Sequence, residues 1–225
     1  MIEAEVYPDR VNQEGPYGEY PGYRSGEMGN SICARVTAIT RRRDPIWTLD
    51  TTGFMDSSAT TTSITGAIAI QRRLEANGVP VKAVYVPPEG AVHLAIVSVR
   101  RGGAEVAQKI VNILTVRRAL ISKIVVVDED VDVFNISAVL HAFATKCHPA
   151  RGIHVVRYEG KANTLTPAYT QEERVTRTGA SVAFDSTWPP EWPADATPVR
   201  ATLDSMYSPD VQRRVLERWR SLGLQ

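Results

Sequence analysis

The sequence predicts an α/β fold: a mixed or largely parallel sheet flanked by helices, preceded by a short β segment. Between residues 59 and 157, runs of strand length alternate with stretches of helical periodicity, a pattern typical of α/β layers. Lys123 to Val127 is almost continuously apolar, as expected of a strand covered on both faces. Before residue 53 only short period-two strands occur, too few to close a sheet of their own.

The first strands are predicted from alternation. Ile2 to Tyr7 places apolar residues at every second position, and Ser31 to Thr40 does the same. Ile46 to Thr51 is a third strand candidate, because Pro45 suits the start of a strand. The segment is expected to be completed by another chain.

The α/β region begins with a helix that stops at an Asn-Gly pair. After Arg157 the periodicity is lost, and Trp188 to Pro193 is too rich in proline for regular structure. A last helix is predicted from Pro209 to Ser221, with Ser208 as its N-cap. We therefore expect a β segment (1–52), an α/β domain (53–187) and an extended Pro/Trp arm with a C-terminal helix (188–225). The predicted elements of the α/β domain are helices Ala59–Ala76, Ala104–Leu114 and Asn135–Lys146, and strands Val81–Val86, Val92–Val99, Lys123–Val127 and Ile153–Arg157.

The composition excludes several classes of protein. The 26 basic and 25 acidic residues give a net charge of +1, which argues against general nucleic-acid binding. Cys33 and Cys147 stand in unlike contexts and are expected to be reduced thiols. The sequence has no apolar run long enough for a bilayer and no basic-then-apolar N-terminal signal. We expect a soluble, cytoplasmic protein with no membrane partner.

A pair of carboxylates is the main candidate for chemistry. Glu14 and Glu19 flank a tight Gly/Pro-rich turn, which can hold both in one rigid loop. Paired carboxylates in a shaped pocket are a common source of one proton donor and one charge stabiliser. A surface loop with solvated glutamates is the alternative that composition alone favours.

Five runs along the chain match a known family in the family's own order. The runs are Glu14–Tyr23, Val36–Ile46, Lys123–Val133, Ala142–Cys147 and Phe184–Thr187. Through them the sequence resembles the UbiD-like family of prenylated-flavin-dependent decarboxylases, although Gln13 replaces a usual proline and residues 161–178 depart from the family pattern.

The resemblance covers only the second half of the family's chains. It implies a separate polypeptide that corresponds to that half; a cloned fragment would look the same. The flavin site, the metal site and the catalytic arginine of the family lie in the other half. The cofactors implied are therefore prenylated FMN with a divalent metal and potassium, held mainly by a partner chain. The short β segment is then expected to complete the partner's split β-barrel.

The resemblance also implies residue roles. Glu19 matches the family's proton donor and must stay protonated near neutral pH, which requires a desolvated pocket. Glu14 matches the residue that holds the arginine and should stay ionised. The substrate would be an aromatic or α,β-unsaturated carboxylic acid. The candidate substrate-lining residues are Ser58, Thr62, Leu120, Ile121 and Leu165.

Other sites are weaker. The acidic run from Asp128 to Asp132 could bind a divalent cation, but it precedes a helix, where acids also serve capping, and no metal site is predicted in this chain. The expected partners are a second UbiD-like subunit in a hetero-oligomer, with self-association through the C-terminal domain. The competing hypotheses are a non-catalytic assembly subunit and, resting only on fold analogy, an α/β binding protein for an anionic metabolite.

Overall fold

The computed structural model describes residues 1–24, 28–55, 57–116 and 120–223. The chain divides into two compact units, Met1–Pro189 and Pro190–Gln225. Within the described ranges no helix is both long and apolar enough to cross a bilayer.

The chain begins with an antiparallel ribbon of two strands, β1 (Ile2–Glu14) and β2 (Met28–Ile39). Both are longer than the alternation alone predicted. Directly opposite residues of an antiparallel pair lie on one face, and the register joins apolar residues across the ribbon. We call this face the ribbon stripe; it consists of Ile2, Ala4, Val6, Ala34, Val36 and Ile39.

The predicted third strand at Ile46 to Thr51 is wrong, because the structure describes this segment as irregular. Its apolar side chains Ile46, Trp47 and Leu49 are all exposed. A period-two pattern stabilises a strand only through packing against neighbours, and here the pattern buries nothing within the chain.

The main sheet has five strands in the order β3-β4-β5-β7-β6. Three central strands run parallel, and the two edge strands are antiparallel to their neighbours. The sheet is therefore mixed, which confirms the predicted class. The strands are β3 (Val81–Tyr85), β4 (Leu94–Val99), β5 (Lys123–Asp128), β6 (Ile153–Tyr158) and β7 (Gly179–Ser186).

Helices cover both faces of this sheet. Ile124 and Val126 of β5 pack into a core with α1 and α2, while Val125 and Val127 pack on the opposite face with α3. The side chains of these four β5 residues are all buried, as the continuous apolar run predicted. The helices of the first unit are α1 (Ser57–Ala76), α2 (Ala104–Thr115), α3 (Ile136–Lys146) and α4 (Gln171–Thr176).

Strand β7 and helix α4 lie where the sequence showed no periodicity. Strand β7 occupies the sheet between β5 and β6, yet it buries the polar residues Ser181, Asp185 and Ser186. Its position follows from pairing with two neighbouring strands rather than from an apolar pattern of its own. The second unit holds a short helix, α5 (Leu203–Met206), and α6 (Pro209–Trp219), which begins at the predicted residue.

Candidate functional site

The two predicted glutamates lie at the end of the ribbon and in the loop that follows it. Glu14 is the last residue of β1, is exposed, and accepts a hydrogen bond from the Ser31 hydroxyl. Glu19 is half-buried. Its backbone N–H donates to the Tyr23 carbonyl at 2.9 Å, and its own carbonyl accepts from the Gly22 N–H at 2.9 Å. These two bonds close residues 19–23 into one compact turn.

Two glycines make this turn possible. Gly22 has φ +86°, in the left-handed region that side chains disfavour. At Gly18 the reason is space, because a Cβ there would lie 2.9 Å from the Thr52 carbonyl oxygen. The loop is therefore held close against the segment that leads to α1.

A hydrogen bond links Tyr17 to the Glu19 side chain. It raises the pKa of the Tyr17 phenol, because the phenol can donate to Glu19 only while it keeps its proton. Tyr17 therefore stays a neutral donor to Glu19 across the physiological range.

The Glu19 loop meets the α/β domain at a cavity of about 270 Å³. Three of the predicted substrate-lining residues, Thr62, Leu120 and Leu165, lie in its wall. Ile121 instead packs against the core on the α1 and α2 side of the sheet. Ser58 lies in the first turn of α1, and its side chain is outside the part of the chain that the structure describes. The other lining residues are Tyr20, Ala59, Val92 and Asn163.

Sequence reasoning missed two polar residues of this cavity, Tyr20 and Asn163. The Asn163 side-chain nitrogen donates to the Tyr20 hydroxyl, and the Leu165 backbone N–H donates to the Asn163 side-chain oxygen at 3.2 Å. Asn163 is only 1% exposed. Tyr20 adjoins Glu19 in sequence, which was an available signal, whereas Asn163 lies in the region that departs from the family pattern.

The ring of His93 lies beside the same tyrosine. The two ring centroids are 5.9 Å apart with the planes tilted by 37°. His93 Nδ1 lies 3.1 Å from the Leu120 carbonyl oxygen, an acceptor, so Nδ1 carries the proton. Burial lowers the pKa of His93, and Lys123 lowers it further against the hydrogen bond to Leu120. His93 is therefore neutral at pH 7, and its buried Nε2 has no hydrogen-bond partner among the described residues.

The acidic run after β5 has structural partners. Lys146 binds the Asp128 carboxylate at 2.7 Å, and the Trp188 N–H also donates to it. Asn135, rather than an acid, caps α3 by accepting from the Ala138 N–H. In the described ranges no group of three His, Cys, Asp or Glu side chains is placed to hold a metal ion.

Comparison with known proteins gives consistent matches. The family model described as the 3-octaprenyl-4-hydroxybenzoate carboxy-lyase C-terminal domain (UbiD_C) matches residues 59–185. The model of the 3-octaprenyl-4-hydroxybenzoate carboxy-lyase Rift-related domain (UbiD) matches residues 1–54. Together the two models cover both the glutamate loop and the α/β domain.

Solved structures show the same fold. The UbiD-class enzyme HmfF from Pelotomaculum thermopropionicum, in complex with FMN, is 23% identical with a TM-score of 0.74, over 92% of this chain and 45% of that one. The vanillic acid decarboxylase ShVdcCD of Sedimentibacter hydroxybenzoicus, in open form with truncated ShVdcD, is 25% identical with a TM-score of 0.71, over 98% and 46%. The apo 3,4-dihydroxybenzoic acid decarboxylase AroY of Klebsiella pneumoniae is 22% identical with a TM-score of 0.73, over 96% and 46%. This chain spans about half the length of the structures that it matches.

Proposed function

The chain belongs to the UbiD family, and from that premise we propose that it is a subunit of a split, prenylated-flavin-dependent (de)carboxylase. The substrate would be an aromatic or α,β-unsaturated carboxylic acid, and turnover would need a partner chain that carries the flavin site. The observation that carries this proposal is the junction of the Glu19 loop with the cavity. Tyr20, the neighbour of Glu19, lines that cavity together with Thr62 and Leu165.

The cavity suits one face of a substrate ring better than a whole flavin. Its walls are mainly apolar, and its lining side chains are all neutral, whereas the phosphate arm of a flavin needs donors or cations. These residues do not fit the cofactor by themselves. We therefore assign prenylated FMN, the divalent metal and potassium mainly to the partner chain, where the flavin would supply the electron sink for loss of carbon dioxide.

This chain would contribute the proton. Glu19 would deliver it to the carbon that carried the carboxylate, with Tyr17 holding the carboxyl group through its hydrogen bond. Glu14 is exposed beside Ser31 and would pair with an arginine of the partner. The partner would also bury Glu19 further, which favours the protonated form that the reaction requires.

The ribbon stripe is the surface that we propose for the partner. Ile2, Val6, Val36 and Ile39 are all exposed, although apolar residues on one face of a β-ribbon ordinarily pack on another layer. We propose that residues 1–52 complete a split β-barrel of the partner. The C-terminal domain would carry self-association, within a hetero-oligomer.

Co-expression tests the proposal. The tagged chain, co-expressed with a chain carrying the flavin-binding half of a UbiD-family enzyme from the same genome, should copurify with it and with a flavin absorption band. The purified complex should release carbon dioxide from at least one member of a panel of hydroxybenzoic and cinnamic acids. A stable flavin-loaded complex in which Glu19→Gln changes nothing would instead support the non-catalytic assembly subunit.

A further inference from the structure

Asn163 is an amide whose orientation is fixed by its surroundings. The backbone N–H of Leu165 can only donate, so the side-chain atom that it contacts at 3.2 Å must be the oxygen. The nitrogen of the same amide therefore faces the Tyr20 hydroxyl and donates to it. The backbone carbonyl of Asn163 accepts from the Thr166 N–H at 3.1 Å. Backbone groups of the α/β domain therefore hold Asn163 in place.

Tyr20 lines the same cavity but belongs to the loop that carries Glu19. It follows Glu19 directly within the turn closed by the two backbone hydrogen bonds of Glu19 and Gly22. A short, doubly bonded turn moves as a unit, so a restraint on the Tyr20 ring also restrains Glu19. The hydrogen bond between Asn163 and Tyr20 joins residues 143 positions apart and ties this turn to the α/β domain at the cavity.

We propose that Asn163 is a positioning residue that acts through Tyr20 to hold the turn that carries Glu19 against the α/β domain beside the cavity. The ring of His93 also packs beside Tyr20. The kinetic part of this inference rests on the proposed function, because it assumes that Glu19 transfers the proton. The structural part does not.

The structural part is tested by amide hydrogen exchange at Glu19 and Gly22 in the full chain. Tyr20→Phe removes the hydroxyl and keeps the ring, and Asn163→Leu removes both amide ends at similar volume. An ordinary hydrogen bond corresponds to roughly a two- to tenfold change in a local equilibrium, so each variant should exchange about two- to tenfold faster at these amides. The double variant should exchange no faster than the faster single variant, because both changes break one link.

Tyr7→Phe is the matched control. Tyr7 lies in the same N-terminal segment, and its hydroxyl bonds Glu5 on the same strand, so its loss should leave the amides of the Glu19 turn unchanged. Should Tyr20→Phe exchange like this control, the positioning role is wrong. That outcome does not depend on how well Asn163→Leu folds.

The kinetic part uses the assembled complex with its flavin partner. Asn163→Leu should lower kcat about tenfold with KM within about twofold, as expected when a reacting group is misplaced but substrate binding is retained. Asn163→Asp should recover part of kcat, since a carboxylate can accept from the Tyr20 hydroxyl. A raised KM at unchanged kcat would overturn positioning in favour of direct substrate binding. If the variants exchange faster at these amides but the wild-type complex shows no turnover, the link between Asn163 and Tyr20 is supported and the proposed function is refuted.

Discussion

The ribbon and the five-stranded sheet are both rich in aliphatic residues, but the two regions differ in whether the chain buries them. In β4 and β5 the aliphatic side chains are almost all buried, whereas the larger ones of the ribbon stripe are exposed. The sheet finds its covering layers within the chain, from α1 and α2 on one face and α3 on the other. The ribbon finds none among the described residues, and its exposed stripe is the surface that we propose for the partner.

The carboxylates show the same contrast. Asp128 sits beside Lys146, whose side chain is only 9% exposed, so its charge is compensated inside the chain. Burial still raises the pKa of Asp128, and Lys146 opposes that rise. Among the described residues, Glu14 accepts from the neutral hydroxyl of Ser31 and Glu19 from that of Tyr17. The proposed pairing of Glu14 with an arginine of the partner would add the charge compensation that Asp128 finds within the chain.

The largest effect is expected at Glu19. In the assembled complex, Glu19→Gln should keep the flavin and the assembly but lower turnover by about a hundredfold to ten-thousandfold, because the amide cannot donate a proton as a carboxylic acid does. Steady-state release of carbon dioxide measures this, and hydrogen–deuterium exchange at the reacting carbon of the product should fall with it. Glu3→Gln, on the exposed part of β1, is the control that should stay near wild type.

Truncation in the sheet core should cost far more stability than truncation in the ribbon. Ile110→Ala removes a fully buried side chain of α2 and should lower the free energy of unfolding by about 2–5 kcal/mol. Val36→Ala shortens a side chain that is half exposed and should change it by less than about 0.5 kcal/mol. Chemical denaturation of the isolated chain measures both. Equal losses would mean that the ribbon already packs as a core.

The ribbon stripe should matter instead for association. Val6→Ser replaces a side chain that is 63% exposed; if the partner buries it, affinity should fall by about tenfold, as expected for roughly 1.5 kcal/mol of lost apolar burial. Isothermal titration of the flavin-half partner checks this. The control variant is Val175→Ser, because Val175 is exposed on α4, outside the ribbon. Unchanged affinity for Val6→Ser would remove the stripe from the interface.

The smallest effect concerns His93 and pH. Its pKa is lowered by burial and by Lys123, despite the hydrogen bond to Leu120, so the folded state binds its proton less readily than the unfolded state does. The stability that this gives is present above the unfolded pKa of about 6.5 and is lost as pH falls towards the lower folded value. His93→Phe keeps a ring beside Tyr20 and should flatten the dependence of stability on pH in this range. Thermal unfolding between pH 8 and 5 would show the same slope in both proteins if His93 is not responsible.

The sequence predicted best those parts of the fold that carry a strong local signal. The apolar run of β5 lies where expected, because its apolar residues are buried on both faces of the sheet. The helix before Asn77-Gly78 also ends where its stop signal predicts, although Ile64 and Ile68 are exposed while Leu74 is buried. Strand β7 was missed because its buried residues include small and polar ones, and only pairing with β5 and β6 places it. The prediction of a strand at Ile46 to Thr51 was wrong for the converse reason. The apolar pattern is present, but the described chain buries none of its apolar side chains.

The candidate site divides in a similar way. Glu14 and Glu19 came from a matching motif, whereas Thr62, Leu120 and Leu165 came from the wider family resemblance; the structure places these three in one cavity wall. The link between Tyr20 and Asn163 has no local signal, since its two residues are far apart in sequence and meet only through the fold.

The most direct test of the account is a titration of the purified chain into its purified flavin-half partner, with carbon dioxide release as the readout. We predict no turnover from either chain alone, no flavin absorption band in this chain alone, and activity that rises with added chain and saturates at a fixed ratio. Turnover by this chain alone, or full turnover by the partner without it, would contradict the claim that the two chains share one active site.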